Sequence, residues 1–196
     1  MSRKAFTFAL LTALSIGVAG CGVAEQGRAP AVVRIDTLEA APGGTTVGTF
    51  GGSLHSDIVT NNGSAFNDVG RVTLSLLLRD PGSPGVANTP SELNSVTMTH
   101  YRVVYRRTDG RNVQGVDVPF AFDSGMTVTV SPTGQGQQTF DIVRVSAKFE
   151  APLRALAVNL QALDVIADVT FYGKDMHNND VAVTGSIGIT FANFGG

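Results

Sequence analysis

The sequence predicts an all-β fold: an antiparallel β-sandwich with one short helix near 151–163. Three observations predict it. From Thr45 onward apolar residues alternate with polar ones, clusters of Gly, Asn, Asp and Pro separate the alternating runs, and only one segment shifts to a spacing of three and four.

Taken in order, Val72, Leu74, Leu76 and Leu78 share one face, opposite Arg71, Thr73, Ser75 and Arg79, with Leu77 breaking the polar side. Asp80 to Pro90, carrying Pro81, Gly82, Pro84 and Gly85, has little to bury and is expected to be an exposed loop. Tyr101, Val103 and Tyr105 alternate with His100, Arg102 and Arg106, as in a half-buried strand. Val116, Val118, Phe120 and Phe122 alternate with Asp117, Pro119, Ala121 and Asp123, which predicts another strand. Pro119 cannot donate to a ladder, so an edge or a bulge is expected there.

Asp123-Ser124-Gly125 predicts a hairpin turn into Met126, Val128 and Val130, and Gly134-Gln135-Gly136 predicts a hairpin tip. Val143, Val145, Ala147 and Phe149, set against Arg144, Ser146, Lys148 and Glu150, predict a strand. The last two strands are Val165, Ala167, Val169 and Phe171, then Val181, Val183, Ile187, Ile189 and Phe191, joined through Asp175 to Asp180. The departing segment is Ala151 to Leu163. Its Leu153, Leu156, Leu160 and Leu163 predict a helix of about three turns, opened by Pro152, that crosses one end of the sheets.

The first twenty residues have another character. Arg3 and Lys4 precede an apolar run from Phe6 to Val18, interrupted by Thr7, Thr12, Ser15 and Gly17. The run is about thirteen residues, short of the roughly 20 that a membrane span needs, and reads as a secretory signal. It ends in Val18-Ala19-Gly20-Cys21, which resembles the lipobox of bacterial lipoproteins. The resemblance implies cleavage between Gly20 and Cys21, a diacylglyceryl group on the Cys21 thiol and acylation of the freed amine. One acyl chain gives only reversible membrane binding, at about 0.8 kcal/mol per buried CH₂, whereas two or more make a stable anchor. The resemblance implies membrane attachment, and Gly22, standing where inner-membrane retention resembles an aspartate, points to the outer membrane.

The expected organisation is therefore a signal peptide at 1–20, a lipidated N-terminus and tether at 21–44, and a β-sandwich domain at 45–196. Within the tether, Val32, Val33 and Ile35 are candidates for a first edge strand. A body of about 150 residues buries roughly 68–70% of its unfolded surface, so it needs no disulfides. Cys21 is the single cysteine, which excludes a disulfide within the chain. Of 14 basic residues, Arg3 and Lys4 leave with the signal; the remaining 12 face 16 acidic ones, a net charge of −4 that disfavours nucleic acid as a partner.

The Tyr101-Val103-Tyr105 strand and the final hairpin resemble parts of immunoglobulin and fibronectin type III domains, over about Thr45 to Phe194. The cysteine pair and the tryptophan of antibody domains are missing.

Few residues advertise chemistry. His55, His100 and His177 have no second histidine or cysteine at ligand spacing, so zinc is not expected. Asp175-Met176-His177-Asn178-Asn179-Asp180 offers oxygens that calcium favours, but without EF-hand spacing it reads first as a turn. Arg102, Arg106, Arg107 and Arg111 surround Thr108-Asp109-Gly110 and form a candidate anion-binding patch; the plainer reading is charge that protects a strand edge. No nucleophile elbow occurs, and Gly134-Gln135-Gly136 lacks the lysine and following helix of a phosphate loop.

No catalytic residue, metal site or cofactor is expected. The expected role is a membrane-anchored, non-catalytic binding or structural module of the cell envelope, with an envelope protein or glycan as partner and loops such as Asp80 to Pro90 meeting it. Two other roles stay open: a periplasmic enzyme acting on envelope glycan or peptide, and an accessory subunit that adds a strand to an envelope assembly.

Overall fold

A computed structural model of the chain describes residues 29–60, 63–80, 82–159 and 161–194. The signal segment, Cys21 and the first part of the expected tether lie outside them. The described chain is all-β, with antiparallel sheets. One sheet contains β1 (Ala31–Ala41), β3 (Asp68–Leu78) and β8 (Gly136–Val143) in the order β1-β3-β8. The other contains β2 (Ser53–Asp57), β6 (Val96–Arg106), β7 (Phe122–Val130), β9 (Leu163–Asp175) and β10 (Asp180–Ala192) in the order β2-β10-β9-β6-β7. Their pairings are antiparallel except β2 with β10, which run parallel. A two-residue hairpin, β4 (Gly82–Ser83) and β5 (Val86–Ala87), projects from the exposed loop predicted there.

The two sheets share one apolar core because the alternating residues of both turn inward. Val72 and Leu74 of β3 and Phe140 and Ile142 of β8 meet Tyr101 and Val103 of β6, Val169 and Phe171 of β9, and Ile189 and Phe191 of β10. An aromatic cluster joins the sheets: Tyr101 to Phe140 at 4.9 Å and Phe140 to Phe171 at 5.3 Å between ring centroids, both edge-on. The Phe140 ring lies over Gly70, its register partner, where a Cβ would come within 2.5 Å of Phe140 Cζ.

Side chains seal the seams between the sheets. The Tyr101 hydroxyl donates to Asp141 O (3.0 Å) and accepts from Asp141 N (3.2 Å), capping the side of β8 away from β3. Ile142 drops out of the β3–β8 register at a bulge, and its carbonyl accepts the Tyr105 hydroxyl at 2.7 Å. Arg144 donates to Asp123 O (2.6 Å) on β7 and lies over the Phe122 ring. On the opposite seam Ile35 and Leu38 of β1 close onto the backbone of Gly185 in β10, and Ala40 and Gly51 exchange hydrogen bonds at 2.9 Å. These contacts protect exposed strand edges without adding a strand.

Several expectations are corrected. The segment 21–44 is not all tether, since β1 occupies Ala31–Ala41 and pairs with β3 along its length; the edge strand anticipated at Val32, Val33 and Ile35 is present, and the described folded body includes residues well before Thr45. The strand expected at Val116 to Phe122 is a turn until Phe122. The Val113 carbonyl accepts from the amides of Val116 and Asp117, and the Asp117 carboxylate accepts Val113 N, so local turn bonds displace the ladder. Val118 and Pro119 are buried, while Val116 and Phe120 are exposed.

Asp123-Ser124-Gly125 is not a turn. It pairs with Arg102, Tyr101 and His100, with an Arg102–Asp123 ion pair across the strands. The strand expected over 143–150 stops at Val143, and Val145–Lys148 forms a helical turn, α1. Asn67 Oδ1 takes the Val145 amide at 2.6 Å, and Lys148 turns inward. The expected three-turn helix shrinks to α2 (Leu153–Leu156), which buries Leu153 and Leu156, while Leu163 already opens β9. The expected crossing stands, because 144–162 carries the chain from one sheet to the other.

Candidate functional site

The register gives the domain two ends. At one, Ala31 pairs with Leu78, Val96 with Asp175 and Asp180 with Lys174, so this end gathers the start of β1, the 79–95 loop and the 176–179 turn. A cavity of about 270 Å³ confirms the juxtaposition, being lined by Ala29, Ala31, Val33 and Arg79 together with Val181 and Ala182. Arg79 donates to Ala29 O at 2.7 Å, and no carboxylate or histidine lines the space. The opposite end carries the 42–52 and 58–67 connections, the 107–121 loop, α1 and α2.

Cys21, the expected lipidation site, lies outside the described residues. The four arginines of the candidate patch each meet a carboxylate. Arg102 pairs with Asp123 at 2.8 Å and Arg106 with Asp168 at 2.6 Å, both on the outer face of the five-stranded sheet. Arg107 (2.5 Å) and Arg111 (3.1 Å) share Asp109 in the loop that follows. The hydrogen bond from Arg107, with Arg111 in support, holds the Asp109 carboxyl well below the usual carboxylate range despite some desolvation. Burial alone would raise Asp168, but the Arg106 and Ser186 donors outweigh it and leave it low. The four arginines thus fall into two groups, one on the sheet in which each has its own carboxylate and one in the loop in which two share Asp109, with no convergent set of free cations among these four.

Asp175 confirms the turn predicted by its segment. Its Oδ1 accepts the amides of His177 (2.9 Å) and Asn179 (2.8 Å), its Oδ2 accepts Asn179 Nδ2 (2.8 Å), and Asn178 takes φ of 65°. Burial pushes the carboxyl up, and these donors more than reverse it. Among the described residues no cluster of three His, Cys, Asp or Glu side chains is placed to hold a metal ion. His100 is exposed and stacks on Tyr172 at 4.8 Å, and His55 meets the Phe194 ring edge-on.

Two features had no legible signal. The first is a buried polar node: Lys148 Nζ lies 3.0 Å from Asp68 Oδ2 and donates to Asp57 O, while Asp68 also accepts Ser56 Oγ (2.6 Å) and Gly43 N (2.8 Å). The alternating pattern had placed Lys148 on an outward strand face. The second is the 107–121 loop, ordered by Asn112 Oδ1 on Arg107 N, Gln114 Oε1 on Ala121 N and a buried Val118, yet presenting Val113, Val116 and Phe120 to solvent. Binding residues in general are concentrated on loops positioned by a rigid scaffold.

No helix among the described residues is long and apolar enough to cross a membrane. Set beside protein-family models, curated proteins and solved structures, the chain finds no match in any of the three comparisons.

Proposed function

We propose that the protein is a lipid-anchored, extracytoplasmic β-sandwich of the immunoglobulin or fibronectin type III kind, serving as a non-catalytic binding or structural module of the cell envelope, with the outer membrane as its address. Strand order supports the architecture. Lettering β1, β2, β3, β6, β7, β8, β9 and β10 as A, A′, B, C, C′, E, F and G gives sheets A-B-E and A′-G-F-C-C′, with B, E against C, F, G as in those domains. Tyr101 on β6 occupies the core of the strand that carries the tryptophan in antibody domains.

The observation that carries the functional reading is the entry of the chain at one end of the sheets. Lipid on Cys21 sets that end toward the membrane and turns the ordered 107–121 loop away from it, so the anchor concentrates a presented surface at the bilayer. The 107–121 loop, and not the Asp80 to Pro90 loop of the sequence-based expectation, then faces outward. Strand addition is less favoured where side chains already meet the strands: Ile35 and Leu38 lie against Gly185 of β10, Arg144 takes Asp123 O of β7 and Tyr101 takes Asp141 of β8.

Membrane partitioning tests the reading. The native protein is expected to sediment with membranes and to resist high-salt extraction, and a Cys21→Ala form is expected to be released or to stay unprocessed. Salt-extractable native protein would overturn it.

A further inference from the structure

The end of the domain where the chain enters also bears exposed apolar side chains on separate loops. Val86 (74% exposed) and Leu93 (62%) stand on the 79–95 loop, and Met176 (63%) on the turn between β9 and β10. Register places both loops beside the start of β1. Charge gives this end no cationic surplus: Lys174 pairs with Asp180, and the single charge of Arg79 is outnumbered by the exposed Asp80 and Glu92.

We infer that Val86, Leu93 and Met176 rest in the headgroup region of the bilayer to which Cys21 is anchored, so that the domain stands end-on upon the lipid surface instead of swinging freely. The inference rests on the lipid-anchor reading and adds a second, non-covalent contact to it.

Chain length decides which end can touch. From Cys21 to Ala29 the chain spans at most about 29 Å. The eleven-residue β6 alone runs about 35 Å from one end of the sheet to the other at the usual strand rise. An inverted domain, with Val113, Val116 and Phe120 on the lipid, would hold Ala29 farther from the surface than those residues reach. The tether therefore selects the end with Val86, Leu93 and Met176, although both ends expose apolar groups. Without a cationic surplus the contact is apolar, so it requires no anionic lipid and withstands salt.

The protein contains no tryptophan, so a single introduced one is an unobscured probe. Acylated mature protein carrying Val86→Trp, Leu93→Trp or Met176→Trp would be reconstituted in phosphatidylcholine vesicles with or without brominated acyl chains. Val116→Trp and Phe120→Trp serve as probes of the far end. All five positions are exposed, so the core is left intact. The expected result is blue-shifted emission and quenching by brominated lipid at the first three positions and neither at the other two. Vesicle-bound, acylated protein with no quenching at the first three positions, or with equal quenching at all five, would overturn the inference and leave the anchor reading standing. Protein that is unacylated and fails to sediment with vesicles would overturn both.

Discussion

The Lys148 ammonium and the Asp68 carboxylate lie 3.0 Å apart with only 2% and 1% of their side chains exposed. They tie the helical turn α1 to the first residue of β3. Asp68 has further donors in Ser56 and Gly43, whereas Lys148 has Asp57 O besides. Removing one partner of such a pair strands an uncompensated charge, at a cost of about 3–5 kcal/mol. Asp68→Ala is thus expected to destabilise more than Lys148→Met, because it orphans three donors where the other leaves the carboxylate two. Urea unfolding midpoints check this; equal midpoints for the two variants and the native protein would contradict it.

Tyr105 provides a test of the seam. Its buried hydroxyl fills the carbonyl of Ile142 at the β8 bulge, and Tyr105→Phe is expected to cost about 1–3 kcal/mol through that unsatisfied acceptor. Burial, with the nearby Asp68 charge in support, pushes the Tyr105 phenol far above its ordinary value of 10.0. The folded state then keeps a proton that the unfolded state gives up, so stability is intact below pH 10 and falls as pH rises beyond it. Tyr105→Phe is expected to flatten that alkaline slope in pH-dependent urea titrations.

At low pH the sign reverses. Asp175 and Asp168 are held below the ordinary carboxylate value of 3.8, so the folded state releases their protons more readily than the unfolded chain. Their contribution is present above about pH 4 and is lost as pH drops through their lowered values. Asp175→Asn is expected to reduce the acid dependence of stability below pH 4 while leaving the neutral-pH circular dichroism unchanged. An unaltered acid slope would contradict the assignment.

Two glycines on paired strands separate close approach from open space. A Cβ on Gly173 would overlap the Thr97 carbonyl and lie 2.7 Å from Met98 Cα, whereas one on Gly188 meets nothing within 4 Å. Gly173→Ala is expected to destabilise by about 1–3 kcal/mol through backbone displacement. Gly188→Ala is expected to be neutral or to stabilise by about 0.4–1 kcal/mol, by restricting the unfolded chain. Thermal unfolding of the pair checks both directions.

What was legible in the sequence follows from where burial alone decides structure. Tyr101, Val103 and Tyr105, and the inward residues of β3, β9 and β10, alternate against a shared core, so period two predicts them directly. The pattern fails where a single local bond outweighs periodicity. Val116 to Phe122 alternates well, yet Val113 O and Asp117 close turns there. Val143 to Glu150 alternates too, yet Asn67 and Asp68, distant in sequence, draw Val145 and Lys148 into a helical turn. At the candidate site the arginine cluster was visible, but its neutralisation by Asp123 and Asp168 depends on cross-strand register that composition does not encode. The polarity of the domain, with chain entry at one end and the ordered loop at the other, likewise emerged only from the pairings.

The most direct measurement is the intact mass and N-terminal peptide of the protein purified from its own envelope. A chain that begins at Cys21 and carries a diacylglyceryl thioether is the predicted result. A chain that begins at any other residue, or a Cys21 without acyl groups, would contradict the account.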